Sequence, residues 1–508
     1  MAGEGVDKSG PDPTELVPNA LDMRAAGAFE PLRGADVGLR VIRGAAVRGT
    51  GYAIGMLLAA SASVFLLRHL GVADFGRYAT VASLIAIVGG LTDAGLSAVG
   101  GRDLALRPPG EERRQLLANL LGLRLVLTLL GVLVAIAFTI AAGYDRTLVL
   151  GTVLAGIGLI LISCQTTMTL PLSVELKIGR LTAAEIIRQA AMLLAIALLV
   201  AVGAGLSPFF AVSIAVGVAT LVITPPLVGG AFVWRPAFDA GEWRTLIRET
   251  LPLAAAVVVG VLYFRVLIVL MSLLATEVET GLFATSFRVS EILYGIATLA
   301  VTIALPVLAV AAEEPARLRY MLQRMIEVSM IASCYLVLVV VIIAEPVLVL
   351  LGGGQYRDAA PVLRIQVFAL IPVFLGQVCV VGLISIRRPS IQAVANGLAV
   401  PILLVLGFVL IPLYGAAGAA IAALAAEFGY VSALVVLLVR HDASLRPSFR
   451  FLWKVAIASG LAAAATLVPG LPALATAVIA TFAYVAGLWI TRAIPTEVRD
   501  AFSVRKRA

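Results

Sequence analysis

Residues 70–105 read LGVADFGRYATVASLIAIVGGLTDAGLSAVGGRDLA. The stretch opens on a short turn holding Asp74 and Arg77. It continues as an apolar run from Tyr78 to Gly100 whose one charge is Asp93, and it ends on Arg102. About 20 apolar residues cross a bilayer's hydrocarbon core as a helix. A second such run, residues 45–67, stands just before the turn. Two crossings joined by a tight turn are therefore expected, and they make the bilayer the solvent for this part of the chain.

Outward from it the pattern recurs. Fourteen spans are expected, at 45–67, 78–100, 117–141, 148–171, 186–204, 208–230, 251–273, 283–310, 326–350, 362–385, 391–411, 416–438, 452–468 and 473–491. Composition agrees. The 508 residues are 61% hydrophobic and 13% charged, with mean hydropathy +1.04, where soluble domains carry about 25% charge. This excludes a disulfide scaffold, a disordered tail protein and a nucleic-acid-binding domain. The net charge of +8 is spread over short loops and reads as membrane topology. Cys164, Cys334 and Cys379 all lie in apolar runs, which argues against disulfides and zinc.

Basic residues set the orientation. Of 38 Lys and Arg, 30 fall in alternate loops and the two tails, four (Arg68, Arg77, Arg146 and Arg357) in the other loops, and four within or at the ends of spans. Both termini are thus expected in the cytoplasm. Residues 1–44 read as a polar cytoplasmic tail rather than a cleavable signal peptide, with 21–39 as a candidate surface helix. Residues 231–250, with Trp234, Arg235, Trp243 and Arg244, read as a cytoplasmic interfacial linker. Residues 492–508 read as a basic cytoplasmic tail.

The halves carry a faint repeat. Gly76-Arg-Tyr-Ala-Thr matches Gly281-Leu-Phe-Ala-Thr at an offset of 205, and Lys177 matches Arg387 at 210. Six spans per copy keep the copies parallel, related by an axis along the membrane normal. The expected fold is all-α and polytopic. It has an N-lobe (45–230, spans one to six), a C-lobe (251–438, spans seven to twelve), and an appendage of two helices (439–491).

The 70–105 stretch also resembles the opening of Wzx-type polysaccharide flippases, of the multidrug/oligosaccharidyl-lipid/polysaccharide (MOP) exporter superfamily. Their Leu-Gly-x-x-x-Phe-Gly-x-Tyr turn, Asp-x-Gly-Leu and basic end correspond here to Leu70, Gly71, Phe75, Gly76 and Tyr78, then Asp93, Gly95, Leu96 and Arg102. GLFATSFRVSEI with the later LPVLA, EPVLVLLGGGQYRDAAPVLRI and IPLYGAAGAAIAALAAE extend the resemblance over roughly 45–440. It implies a MATE-like pair of lobes around a central cavity, with alternating access driven by a proton or sodium gradient and no bound cofactor. It implies an undecaprenyl-diphosphate-linked sugar or oligosaccharide as substrate, turned from the inner to the outer leaflet of a bacterial cytoplasmic membrane. Candidate partners are a polysaccharide polymerase or ligase and glycosyltransferases. Span seven departs from the pattern. Many relatives carry an acid after a Tyr-Phe-Arg-like stretch, whereas the run here is Tyr263-Phe264-Arg265-Val266-Leu267.

Charges inside spans are costly and mark wet cavities or ion pairs. Arg265, Arg288, Arg124 and Arg364 are candidate cavity residues, because guanidinium stays protonated and grips phosphate through two donors. Snorkelling to the interface is the competing reading for Arg124 and Arg364. Glu291, spaced i, i+3 from Arg288, and Asp93, near Arg102, are candidates for ion coupling or structural pairing. Tyr263, Phe264 and Tyr294 serve either as sugar-stacking or as packing residues. Glu345 and Glu427 read as helix-end residues. Two other functions compete: a drug or organic-cation exporter, which wants acids in its cavity, and a non-transporting scaffold. An enzyme is disfavoured, because the chain shows no metal-ligand cluster, phosphate loop or nucleophile elbow.

Overall fold

The computed structural model describes residues 35–311, 314–386, 388, 390–464, 466 and 471–493. The expected surface helix at 21–39 and the C-terminal tail fall almost wholly outside the described residues, as does Arg387. The described residues form α1 (Ala35–Asp93), α2 (Leu96–Leu106), α3 (Glu111–Ala141), α4 (Arg146–Val174), α5 (Ile178–Ala201), α6 (Leu206–Val228) and α7 (Ala240–Leu274). Then come α8 (Glu277–Ala311), α9 (Pro315–Gly352), α10 (Gly354–Ser385), α11 (Ser390–His441), α12 (Leu452–Ala464) and α13 (Ala473–Ile490). No strand occurs among the described residues.

By length and hydropathy ten helical stretches qualify as spans among the described residues, against the fourteen expected. The difference has physical sources. Two pairs of expected spans each run on as one continuous helical stretch, 49–106 and 390–441. Helical geometry breaks inside them at Gly71 (φ 75°, ψ 178°) and Gly415 (φ 54°, ψ −131°), backbone angles that glycine adopts at little cost. The expected span at 283–310 falls on α8, a continuous helix whose residues 292–309 carry no charge, and α12 has only 13 residues. Leu57, Val134 and Phe482 are among many large apolar side chains left exposed, as a lipid-facing surface requires.

The chain reverses at the Gly71 turn. Along α8 the neighbours on α1 run backwards: Gly281 meets Val72, Arg288 meets Ser63, and Gly295 meets Tyr52 and Met56. Along α7, Gly95 meets Leu253 and Gly90 meets Val261. The arm of α1 before Gly71 thus lies against α8, and the arm after it against α7.

The halves meet by a reciprocal contact. A Cβ on Gly76 would lie 2.2 Å from the Glu277 carbonyl oxygen, and a Cβ on Gly281 would lie 2.0 Å from that of Val72. Val72 and Gly76 are four residues apart, as are Glu277 and Gly281, and the two couples are related by the offset of 205. Only glycine permits this approach, as at small-residue crossings in membranes generally. Two tyrosines repeat the symmetry: Tyr144 Oη bonds Ser272 Oγ at 2.6 Å, and Tyr356 Oη donates to the Leu67 carbonyl at 3.3 Å. Residues 67 and 272 are again 205 apart. Arg77 closes the rim on Glu277 at 2.6 Å. Phe75, Phe283 and Tyr356 fill the same end with a core shared by both halves.

One reading needs correction. The 231–250 linker is only partly a loop. Asp239 caps α7, which starts at Ala240, and the strap before it is sewn to α3 by Ala237 N to Ala118 O (2.9 Å) and Asp239 N to Asn119 Oδ1 (3.0 Å). Trp243 follows on the helix and donates to Asn119 O at 3.1 Å, which fastens the start of α7 to α3. Residues 352–361, between the expected spans 326–350 and 362–385, also do more than connect them, because Tyr356 is fully buried. The α12–α13 pair docks on α9 through Tyr484 Oη to Ile331 O (2.8 Å) and Tyr335 to Thr481 (3.2 Å).

The crossing yields a test. Gly281→Val cannot close this end without moving Val72. Thr80, 1% exposed, is placed as a single cysteine in a background lacking the three native ones. Its labelling by a water-soluble maleimide should accelerate several-fold in the Gly281→Val protein; unchanged protection would show that the crossing does not close this end.

Candidate functional site

Three charged side chains meet between the halves. Arg265 Nη2 donates to Glu291 Oε1 at 2.7 Å, and Arg288 Nη1 donates to Glu291 Oε2 at 3.0 Å. Arg265 comes from α7, and the other two stand one turn apart on α8. Arg288 Nε also donates to Ser63 Oγ at 3.3 Å, which ties the group to α1 of the other half. Ser63 lies eight residues before Gly71, Arg265 nine before the end of α7, and Arg288 eleven after the start of α8. At 1.5 Å per residue these depths are about 12–17 Å, near half the ~30 Å hydrocarbon thickness.

The group is reachable. Its side chains are 28–38% exposed. Arg288 and Glu291 line a cavity of about 230 Å³ with Tyr52, Glu185 and Gln189, between α1, α5 and α8. Arg265 lines a broader cleft of about 450 Å³ with Phe264, Ala86 and Val261, between α1 and α7. Two guanidiniums and one carboxylate leave the group with a formal charge of +1, in surroundings where each unpaired charge is expensive. Such a site favours an anion.

The other candidates go elsewhere. Arg124, 5% exposed, pairs with Asp93 through Nη2, and its Nη1 donates to Ser97 Oγ at 2.9 Å and Thr167 Oγ1 at 3.4 Å. Asp93 also accepts from Ser97 at 2.5 Å. The Asp93–Arg102 pairing is therefore not formed; Arg102 bonds Asp103 at 2.8 Å and also Glu249. Arg364 is exposed and donates to the Val341 carbonyl at 3.2 Å. The structure brings Arg265, Arg288 and Glu291 together and leaves Arg124, Asp93 and Arg364 outside that group.

Glu427 is not a helix-end residue. It lies twelve residues past Gly415 and is 7% exposed, and no cation among the described residues pairs with it. It shares a small void with Tyr263, Tyr294 and Gln366. Tyr263 packs edge-on against Phe264 at 5.8 Å and lies near Tyr430 at 6.2 Å. Ser63, Glu185 and Gln189 were also missed. Their only sequence signal was polarity within or beside an apolar run.

A protein-family model described as polysaccharide biosynthesis protein matches residues 65–361, more than half of the chain. The chain belongs to that family. The computed fold is similar to a structure of the lipid II flippase MurJ in an inward closed conformation, with a TM-score of 0.75 at 13% identity over 87% of this chain and 98% of that one. It is similar to an inward-facing multidrug resistance MATE family transporter of the MOP superfamily, with a TM-score of 0.56 at 14% identity over 79% and 98%. It is also similar to an MOP superfamily transporter from Pyrococcus furiosus, described as having a binding pocket of reverse polarity (0.52, 15%, 80% and 96%). No curated protein matches the chain. This member of the polysaccharide biosynthesis family is thus a multi-pass membrane protein with a MurJ- and MATE-like helical fold.

The Asp93–Arg124 pair makes its own prediction. Asp93→Ala leaves the Arg124 guanidinium buried without its carboxylate, which should cost roughly 2–4 kcal/mol, reduced because about a third of Asp93 is exposed. The double variant Asp93→Ala/Arg124→Met should recover much of that loss. Thermal unfolding in detergent measures both; equal stability of the single variant and wild type would contradict the pairing.

Proposed function

We propose that this chain is a flippase that carries an undecaprenyl-diphosphate-linked sugar or oligosaccharide from the inner to the outer leaflet of a bacterial cytoplasmic membrane. It would serve cell-surface polysaccharide synthesis. The observation that carries the reading is the convergence of Arg265 and Arg288 on one carboxylate at mid-depth, between two halves that touch at the Gly76–Gly281 end. A diphosphate presents two charged groups to the same paired donors that now hold a carboxylate. The flanking clefts give the glycan room on the α5 side. The family membership supports a polysaccharide pathway, and the MurJ-like fold is one that in that protein flips a lipid-linked substrate.

The proposed cycle is alternating access. In this cycle the Gly76–Gly281 crossing would close the end that the charge bias assigns to the outside, and substrate would enter from the cytoplasmic side. Opening that crossing while the opposite end closes would release the head group outward. A proton or sodium gradient would drive the cycle, with both termini in the cytoplasm. Polymerase, ligase and glycosyltransferase enzymes would act before or after it. A cation exporter fits less well, since the reachable cavity charge is positive.

Arg265→Ala and Arg288→Ala, expressed at wild-type level, should each lower flipping at least about tenfold, and Arg265→Lys should lose less than Arg265→Ala. The assay is mass spectrometry of undecaprenyl-linked intermediates in a deletion strain, combined with their leaflet assignment. One lipid-linked glycan should accumulate on the cytoplasmic side, relieved by wild type and not by Arg265→Ala. Full relief by both alanine variants would overturn the assignment of this site.

A further inference from the structure

We infer that Glu291 is the resident anion of the empty carrier, a carboxylate that occupies the two-arginine site until a diphosphate displaces it and reoccupies it for the return step. The inference rests on the proposed flippase reading and adds a role that reading does not require.

The geometry distinguishes the arginine partners of this carboxylate from the partner of Asp93. In the Asp93–Arg124 pair the guanidinium is sealed, 6% exposed, and is further held by Ser97 and Thr167. That arrangement suits a permanent brace. Glu291 instead spends one oxygen on each of two arginines, and all three side chains remain about a third exposed to the clefts. Its two oxygens make the contacts that a phosphate's oxygens would make. Glu291 and Arg288 share α8 while Arg265 sits on α7, so rotation of the Glu291 side chain alone frees both guanidiniums toward the cavity. Glu185, the other acid on this cavity, is engaged by Arg188 at 2.6 Å and does not compete for them.

The reason such a group is needed is electrostatic. A carrier that turns a dianion over must come back empty. Two uncompensated guanidiniums at mid-membrane would oppose that return. With Glu291 in place the empty site crosses with a formal charge of +1; with diphosphate bound, the ligand performs the neutralisation. The Arg288–Ser63 bond places this exchange on the helix that ends at the Gly71 turn, where the halves close.

The test separates loaded from empty steps. The full chain is reconstituted in proteoliposomes with a polyprenyl-diphosphate bearing one fluorescently tagged sugar. Net flipping is measured with probe in one leaflet, and exchange with unlabelled probe present in both. Glu291→Gln should slow net flipping at least about tenfold, since every net cycle includes an empty return. It should leave exchange within about twofold of wild type and bind inorganic diphosphate at least as tightly. Glu291→Asp, which keeps the charge, should retain most net flipping and guards against a folding defect in the glutamine variant. Equal loss of both modes in Glu291→Gln, no loss in either, or an aspartate variant as defective as glutamine in net flipping would overturn the inference while leaving the flippase reading intact. Wild-type protein that moves the probe in neither mode would overturn the flippase reading itself, and this inference with it.

Discussion

Two glycines without side chains set the geometry of this molecule. Where α1 crosses α8, Gly76 and Gly281 bring backbone against backbone, each within the space a Cβ would need. Membrane helices gain little from hiding apolar surface from lipid, so their association depends on close packing and polar links. The Gly76–Gly281 contact supplies the first, and the Tyr144–Ser272, Tyr356–Leu67 and Arg77–Glu277 contacts the second. Because the glycine and tyrosine contacts on one half have counterparts on the other, closure here is a property of the pair of halves. Packed interfaces of this kind switch between discrete arrangements rather than deform smoothly.

The protein solves the problem of charge in a membrane in two ways. Arg124 and Asp93 form a closed account of donors and acceptors, with hydroxyls of Ser97 and Thr167 taking the remaining positions. Arg265, Arg288 and Glu291 form an open one, with two cations, one anion and cavities on either side. The same residue types therefore serve different ends. What separates them is the ratio of cations to carboxylates and access from the cleft, not depth in the span.

Much of the architecture was legible in the letters. The apolar runs located the helices, and the five-residue match at Gly76 and Gly281 marked the repeat, while the crossing of the two copies at those glycines came from the structure. Pairing was less legible. Asp93 sits nearer Arg102 in sequence, yet its partner is Arg124, 31 residues on, since helices three turns long or more place distant residues side by side. Arg265 and Glu291 were singled out separately, and nothing in the spacing of 26 residues across a helix hairpin announces that they touch. Glu427 was misread although the expected span at 416–438 already sets it at mid-helix, where only burial in the fold shows that it faces protein. The appendage helices were legible as apolar runs, but their docking on α9 through two tyrosines was not.

Closure and charge are linked by rigid helix. Glu277, Gly281, Arg288 and Glu291 lie on one run of α8, so the crossing and the anion site share that helix, while Ser63 and Gly76 stand on opposite sides of the Gly71 break in α1. A movement of α8 that separates Gly281 from Gly76 also moves Arg288 relative to Ser63, since the helix is continuous over the seven residues between Gly281 and Arg288. Conversely, an anion that draws Arg265 and Arg288 toward the cavity pulls on α8, one of the two helices that meet at the glycines. Such an anion can bias the crossing only by the difference in its affinity for the two arrangements. The Ser63 hydroxyl is where that difference would arise, because it joins the arginine pair to the opposite half. A site about 12 Å from the closure and built on the same helix therefore needs no further relay to couple occupancy to opening.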